Sequence, residues 1–231
     1  MSTATEIDRF LAKFTHFGAE PSVESYLAFF HPDATLFDSG MQRPIRVSEI
    51  PEHIEGILKL AQGFRMTPLR WRFRAPTIFV EAHNRASLAG HAVEWPSVYC
   101  IDLVGDQVIR GRRYYDRAPL VAKLAGASGA APARSLRSLR RNRGIHAPNE
   151  IEGIPEEPFG IAALRAVAPD LEAKCLTSAG DDTLLFREWE LQGTNDRKAL
   201  CFGLVDRFDL AGGRVKEARA YYDTLALGEH G

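Results

Sequence analysis

From Ala86 to Leu103, the longest stretch of strand character, the odd positions read His91, Val93, Trp95, Ser97, Tyr99, Ile101 and Leu103. A strand sends alternate side chains to opposite faces. If alternation survives Pro96, an imidazole, a hydroxyl and a phenol share one otherwise apolar wall. Imidazole and phenol exchange protons and donate hydrogen bonds to carbonyl oxygens, and a wall built only for packing would not choose them. This is the chain's main hint of a pocket. His91 also has an ordinary reading as a satisfied core histidine, and Trp95 as packing. Other chemistries find less support. His16, His31, His53, His83, His91, His146 and His230 show no paired ligand spacing. No glycine-rich phosphate loop follows a strand, and no serine elbow or Cys-His pairing is visible. Cys100, Cys175 and Cys201 fit neither a disulfide framework nor a zinc pattern. No metal and no cofactor is expected.

The elements that position this wall follow from periodicity. Ile7, Phe10, Leu11, Phe14 and Phe17 lie at helical spacing over Glu6 to Phe17, with Thr5 as cap. Ser22 to Phe30 reads as a second short helix, ended by His31-Pro32-Asp33. Ala34 to Asp38 reads as a strand with Met41 to Arg46 as its hairpin partner. Ser48 then caps a third helix, with Pro51 in its first turn, running to about Gly63. Leu69, Trp71 and Phe73 alternate with Arg70, Arg72 and Arg74, which predicts a sheet with one wet face. Thr77 to His83 is a short strand that precedes the long one.

Asp102 to Asp116, DLVGDQVIRGRRYYD, recurs without a gap as DLAGGRVKEARAYYD at Asp209 to Asp223, agreeing at eight of fifteen positions. Each copy reads as strand, glycine turn, strand. A repeat this long is one supersecondary unit used twice. The expected organisation is a first module over residues 1–120, a linker over 121–146, and a second, shortened module over 147–231. The linker joins a flexible AGASGAAPA to RSLRSLRRNR, read as a phosphate-binding cluster or as a solvated helix docking Leu136 and Leu139. In the second module a helix is expected near Phe159 to Ala168, followed by four strands. Glu188, Glu190 and Asp206 are acids in these apolar strands. Asp206 lies opposite Tyr99 in the repeat.

Composition is 45% hydrophobic and 26% charged, with a net charge of −1, and gives no drive toward nucleic acid or an anionic membrane. No apolar run approaches a membrane span, and the opening residues lack the pattern of a signal peptide. A cytoplasmic protein with neither nucleic-acid nor membrane partners is the economical expectation.

Two or three helices, a hairpin after HPDATLFDSG and four long strands ending in YYD resemble the nuclear transport factor 2-like superfamily, which includes ketosteroid isomerases and polyketide cyclases. The resemblance covers about Glu6 to Arg117, and partially Glu150 to Leu227. It implies an α+β fold: cone-shaped, strongly curved antiparallel sheets packed on helices, in tandem copies, around an apolar cavity. It also implies that the two copies pack sheet to sheet as an intramolecular pseudo-dimer, with further homo-oligomerisation open.

Carried onto this chain, Asp33-Ala34-Thr35-Leu36-Phe37-Asp38 matches the isomerase segment whose last Asp moves a proton. Asp38 is then the candidate general base, its basicity raised by apolar Leu36 and Phe37. The plainer alternative is that it caps the Ser39-Gly40 turn. The family's helix tyrosine falls on Phe14, which cannot donate, and its strand aspartate falls on Ser97 or Tyr99. Steroid isomerisation is therefore not expected. The reading that remains is a protein binding a hydrophobic carbonyl compound: a cofactor-independent isomerase, cyclase or dehydratase. Asp38, His91 and Tyr99 are its catalytic candidates, and Phe14, Trp71, Trp95 and Ser97 line its substrate pocket. The alternative is a non-catalytic ligand-binding or scaffold module whose hollow is filled by Phe14, Trp71 and Trp95.

Overall fold

A computed structural model describes residues 3–127, 146–147, 153–195 and 197–227. The arginine-rich segment with Leu136 and Leu139 lies outside them. Helix α1 (Ala4–Ala19) begins at Thr3, not Thr5, because Thr3 and Glu6 form a capping box that satisfies two backbone donors. It buries Ile7, Phe10, Phe14 and Phe17. Helix α2 (Val23–Leu27) is capped by Ser22, and helix α3 is Ile50–Leu60. Strands β1 (Phe30–Asp38), β2 (Ile45–Arg46), β3 (Ala61–Arg74), β4 (Thr77–Leu88), β5 (His91–Val104) and β6 (Gln107–Tyr114) form one sheet in the order β2-β1-β6-β5-β4-β3. The sheet is not wholly antiparallel: β1 runs parallel to β6, with Asp38 beside Arg113.

The C-terminal half builds a second sheet from β7 (His146–Ala147), β8 (Glu172–Gly180), β9 (Leu184–Asn195), β10 (Lys198–Ala211) and β11 (Arg214–Tyr221), in the order β7-β11-β10-β9-β8. Its four long strands repeat the order of β3 to β6. Its described helix, α5 (Ile161–Arg165), is shorter than the expected Phe159 to Ala168. Helix α4 (Ala118–Ala127) crosses the expected module boundary at residue 120. It touches β4 and β5 and sets Leu120 and Leu124 on the N-terminal core, so the start of the expected linker belongs to the first core.

The two sheets pack face to face through equivalent positions 107 residues apart. Phe79 stacks on Phe186 with centroids 5.5 Å apart and planes 3° from parallel. Tyr114 donates to Glu188 Oε1 at 2.6 Å, and reciprocally Tyr221 donates to Glu81 Oε1. Arg117 Nε donates to Asp223 Oδ2 and Thr224 Oγ1 to Asp116 Oδ1, both at 2.6 Å. Buried carboxylates persist here because each meets a charged or phenolic donor: Glu81 also accepts from Arg207 and Arg70 at 2.9 Å, and Glu188 from Arg112. Gly203 admits Tyr114, since a Cβ there would lie 2.4 Å from Tyr114 Cε1.

This docking reverses one expectation. Arg70 and Arg72 face the second sheet, Arg70 reaching Asp209 at 2.7 Å and Arg72 reaching Thr183 at 2.8 Å. Leu69 and Trp71, expected inward, are exposed. Guanidinium groups serve a desolvated, paired interface well, so the alternation is real but its wet face is an interface.

Candidate functional site on the concave face of the first sheet

The first sheet turns Asn84 of β4, Trp95, Ser97 and Tyr99 of β5, Arg113 of β6 and Asp38 of β1 toward the helices, among the apolar groups of the N-terminal core. The register makes them neighbours. Asn84 pairs with Trp95, Tyr99 with Arg113, and Arg113 with Asp38. A polar row thus crosses a concave apolar surface.

At one end, Asp38 is buried and gripped by Arg113, with Nε on Oδ1 at 2.7 Å and Nη2 on Oδ2. The Ser39 amide donates to Oδ1 at 3.0 Å, so the turn-capping reading of Asp38 is realised. His53 of α3 brings Nε2 to 3.7 Å from Oδ2. Burial pushes the Asp38 carboxyl up, but Arg113 and His53 outweigh it and hold the group below the usual carboxylate range. A base of raised basicity is not what this geometry makes. Leu36 and Phe37 supply apolar walls, but the bidentate guanidinium sets the charge state. Arg113 also lies 4.9 Å from the centroid of Tyr115 and 5.9 Å from that of Tyr99.

At the other end, Asn84 Nδ2 donates to Trp95 O at 3.1 Å and to Ser97 Oγ at 2.8 Å. That uses both amide hydrogens. Asn84 Oδ1 and Trp95 Nε1 are buried without a hydrogen-bond partner, as is His53 Nε2. Unpaired buried polar atoms cost roughly 1–3 kcal/mol each, so the two on neighbouring strands β4 and β5 call for an explanation.

The remaining candidates fall as follows. His91 stands exposed at the end of β5, paired across the turn with Leu88, and does not enter the cone. It directly follows the tight turn of Ala89 and Gly90, both at positive φ. Trp71 is 41% exposed and lines an outer groove with Ile7, Asp8 and Asp181. Phe14 is core, edge-on to Tyr99 at 5.0 Å and packed with Phe10 and Phe29. The hollow beside Phe14, Tyr26, Leu36 and Tyr99 measures about 20 Å³, room for a single water. The expected large cavity is not at that end of the cone. An open cleft of about 480 Å³ lies between the halves, beside Phe37, Met41 and Phe202. No cluster of metal-ligating side chains occurs among the described residues, and no helix among them is long and apolar enough to cross a membrane.

Sequence reasoning missed Asn84, His53 and Arg113. Ending β4 at His83 left Asn84 outside the sheet. His53 falls with Ile50, Ile54 and Ile57 on one helical face, a signal that was legible. Arg113 was obscured by the repeated tyrosines beside it.

The N-terminal half is an α+β unit of three helices and a six-stranded sheet in the order β2-β1-β6-β5-β4-β3. No protein-family profile matches the sequence, and no curated protein does. Solved structures similar to this chain include a protein of ketosteroid isomerase-like fold from Catenulispora acidiphila in complex with trimethylamine, at 12% identity, TM-score 0.45, covering 53% of this chain and 93% of that one. A candidate SnoaL-like polyketide cyclase from a Jannaschia species matches at 14% and TM-score 0.46, covering 55% and 94%. A nuclear transport factor 2-like protein from Burkholderia pseudomallei matches at 13% and 0.47, covering 52% and 96%.

Proposed function

We propose that the chain is a small-molecule-binding protein built from two copies of one unit, spanning about residues 1–120 and 147–231. In this reading the ligand sits on the concave face of the first copy, and the second copy covers that unit's outer face. The observation that carries it is the pair of buried, unpartnered atoms Asn84 Oδ1 and Trp95 Nε1 on β4 and β5, the strands against which α4 packs. Binding sites are apolar surfaces with a few convergent polar groups, and this surface has that composition. Asp38 and Arg113 serve as its fixed polar end.

A second reading, cofactor-free proton transfer on a hydrophobic carbonyl compound, is favoured by the contact of Asp38 with His53. The base would then be His53, oriented by an ionised Asp38, with Tyr99, its ring 5.9 Å from Arg113, as the phenol on the same face. In that reading His53→Gln should lower turnover of an identified substrate at least as much as Asp38→Asn.

The binding reading is tested by screening the full chain against small amides, ketones and phenols by thermal melting. Compounds that raise the melting temperature should lose that effect in Trp95→Phe and keep it in Trp71→Phe. No stabilising compound, or stabilisation unchanged in Trp95→Phe, would refute it.

A further inference from the structure

We infer that the ligand of the first unit presents a hydrogen-bond donor directly beside an acceptor, and that a carboxamide is the rigid group that best meets this requirement. The inference rests on the binding reading and deepens it. Asn84 has spent both amide hydrogens on Trp95 O and Ser97 Oγ, so its free capacity lies on Oδ1, which only accepts. The Trp95 indole nitrogen only donates. Both atoms are buried and unpaired, on residues that stand opposite each other across β4 and β5. Asn84 is 0% and Trp95 9% exposed, so bulk water does not satisfy them.

Antiparallel neighbours place their side chains about 5 Å apart at the Cβ atoms. A group that satisfies both must therefore offer N–H or O–H to one side and an acceptor oxygen to the other within a few ångströms. The N–H and C=O of a carboxamide do this on adjacent atoms of a rigid plane, and a hydroxyl beside a carbonyl does it less rigidly. A simple ketone answers only Trp95 and strands Asn84; an aromatic amine, whose nitrogen is a poor acceptor, does the reverse. Sites with such buried groups reject the analogue that leaves one unpaired. Phe64, its ring centroid 6.1 Å from that of Trp95, and Met66, which pairs with Asn84 across β3 and β4, supply an apolar bed for the ligand's body.

Three probes of similar bulk separate the possibilities in the wild-type chain by calorimetry: benzamide, acetophenone and aniline. Benzamide should bind at least tenfold more tightly than either of the others, and 2-hydroxyacetophenone should fall between. Trp95→Phe leaves the Asn84 hydrogen bonds to the backbone and to Ser97 in place. It should bring benzamide down to the level of aniline. Equal binding of benzamide, acetophenone and aniline would overturn the inferred class while leaving the binding reading standing. Failure of all of them to bind, with one ordered water bridging Asn84 Oδ1 and Trp95 Nε1 in a crystal, would overturn both.

Discussion

Asp206 and Asp38 are both buried aspartates on concave sheet faces, yet their surroundings drive them apart. Asp206 Oδ2 accepts from Trp189 Nε1 and from the Phe159 amide, each at 2.9 Å, while Oδ1 has no partner. Burial without a bonded cation pushes its carboxyl up to about 7. Because this folded-state value exceeds the unfolded one, its contribution to stability is fully present below about pH 4 and lost as pH rises through 7. Asn can accept the same two hydrogen bonds without charging. Chemical denaturation at pH 5 and pH 8 should therefore show the wild type losing about 2–3 kcal/mol relative to Asp206→Asn. Parallel stabilities of the two proteins would contradict this. Asp38 behaves oppositely, since its lowered value makes the stabilising contribution appear above the unfolded value and vanish as pH falls through the folded one. Arg113→Met would strand its carboxylate and should cost about 3–5 kcal/mol near neutral pH, read from the denaturation midpoint. A loss under 1 kcal/mol would show that the pair is not what holds β1 to β6.

At the scale of elements, the strands were legible and their partners were not. Alternation along β5 placed Trp95, Ser97 and Tyr99 inward, as expected, because one face of that strand meets the helices. Alternation along β3 was equally clear, but no local signal distinguishes arginines facing water from arginines facing a second sheet 139 residues away in the chain. The parallel pairing of β1 with β6 was hidden for the same reason: strand direction is set by a long connection, not by the strand's own residues. The polar row was half legible, since Ser97 and Tyr99 announced it while Asn84 lay beyond the point where the pattern of β4 faded. Strand β10 offers a test of the docking. Gly203→Ala should drive Tyr114 off Glu188 and destabilise by about 1–3 kcal/mol, and adding Tyr114→Ala should relieve part of the clash. Full additivity of the two changes would argue that the residues do not meet.

Across the whole molecule, the repeat seen in the sequence becomes a reciprocal interface. Each half offers a tyrosine to a buried glutamate of the other, and a phenylalanine to the shared stack. If the two contacts are equivalent, double-mutant cycles for Tyr114–Glu188 and Tyr221–Glu81 should give similar coupling, about 1.5–3 kcal/mol each, as for hydrogen bonds to charged groups. A near-zero value for one of them would break the equivalence. The same docking leaves the concave face of the first sheet to its helices and α4, which is where the unpaired atoms lie. The chain has three tryptophans, so three indole N–H signals are expected in a nitrogen–proton correlation spectrum, and Trp95→Phe assigns the one that matters. On titration with benzamide, the Trp95 signal should move with saturation while those of Trp71 and Trp189 stay in place. A stationary Trp95 signal, or movement confined to Trp71, would contradict a ligand site on this face.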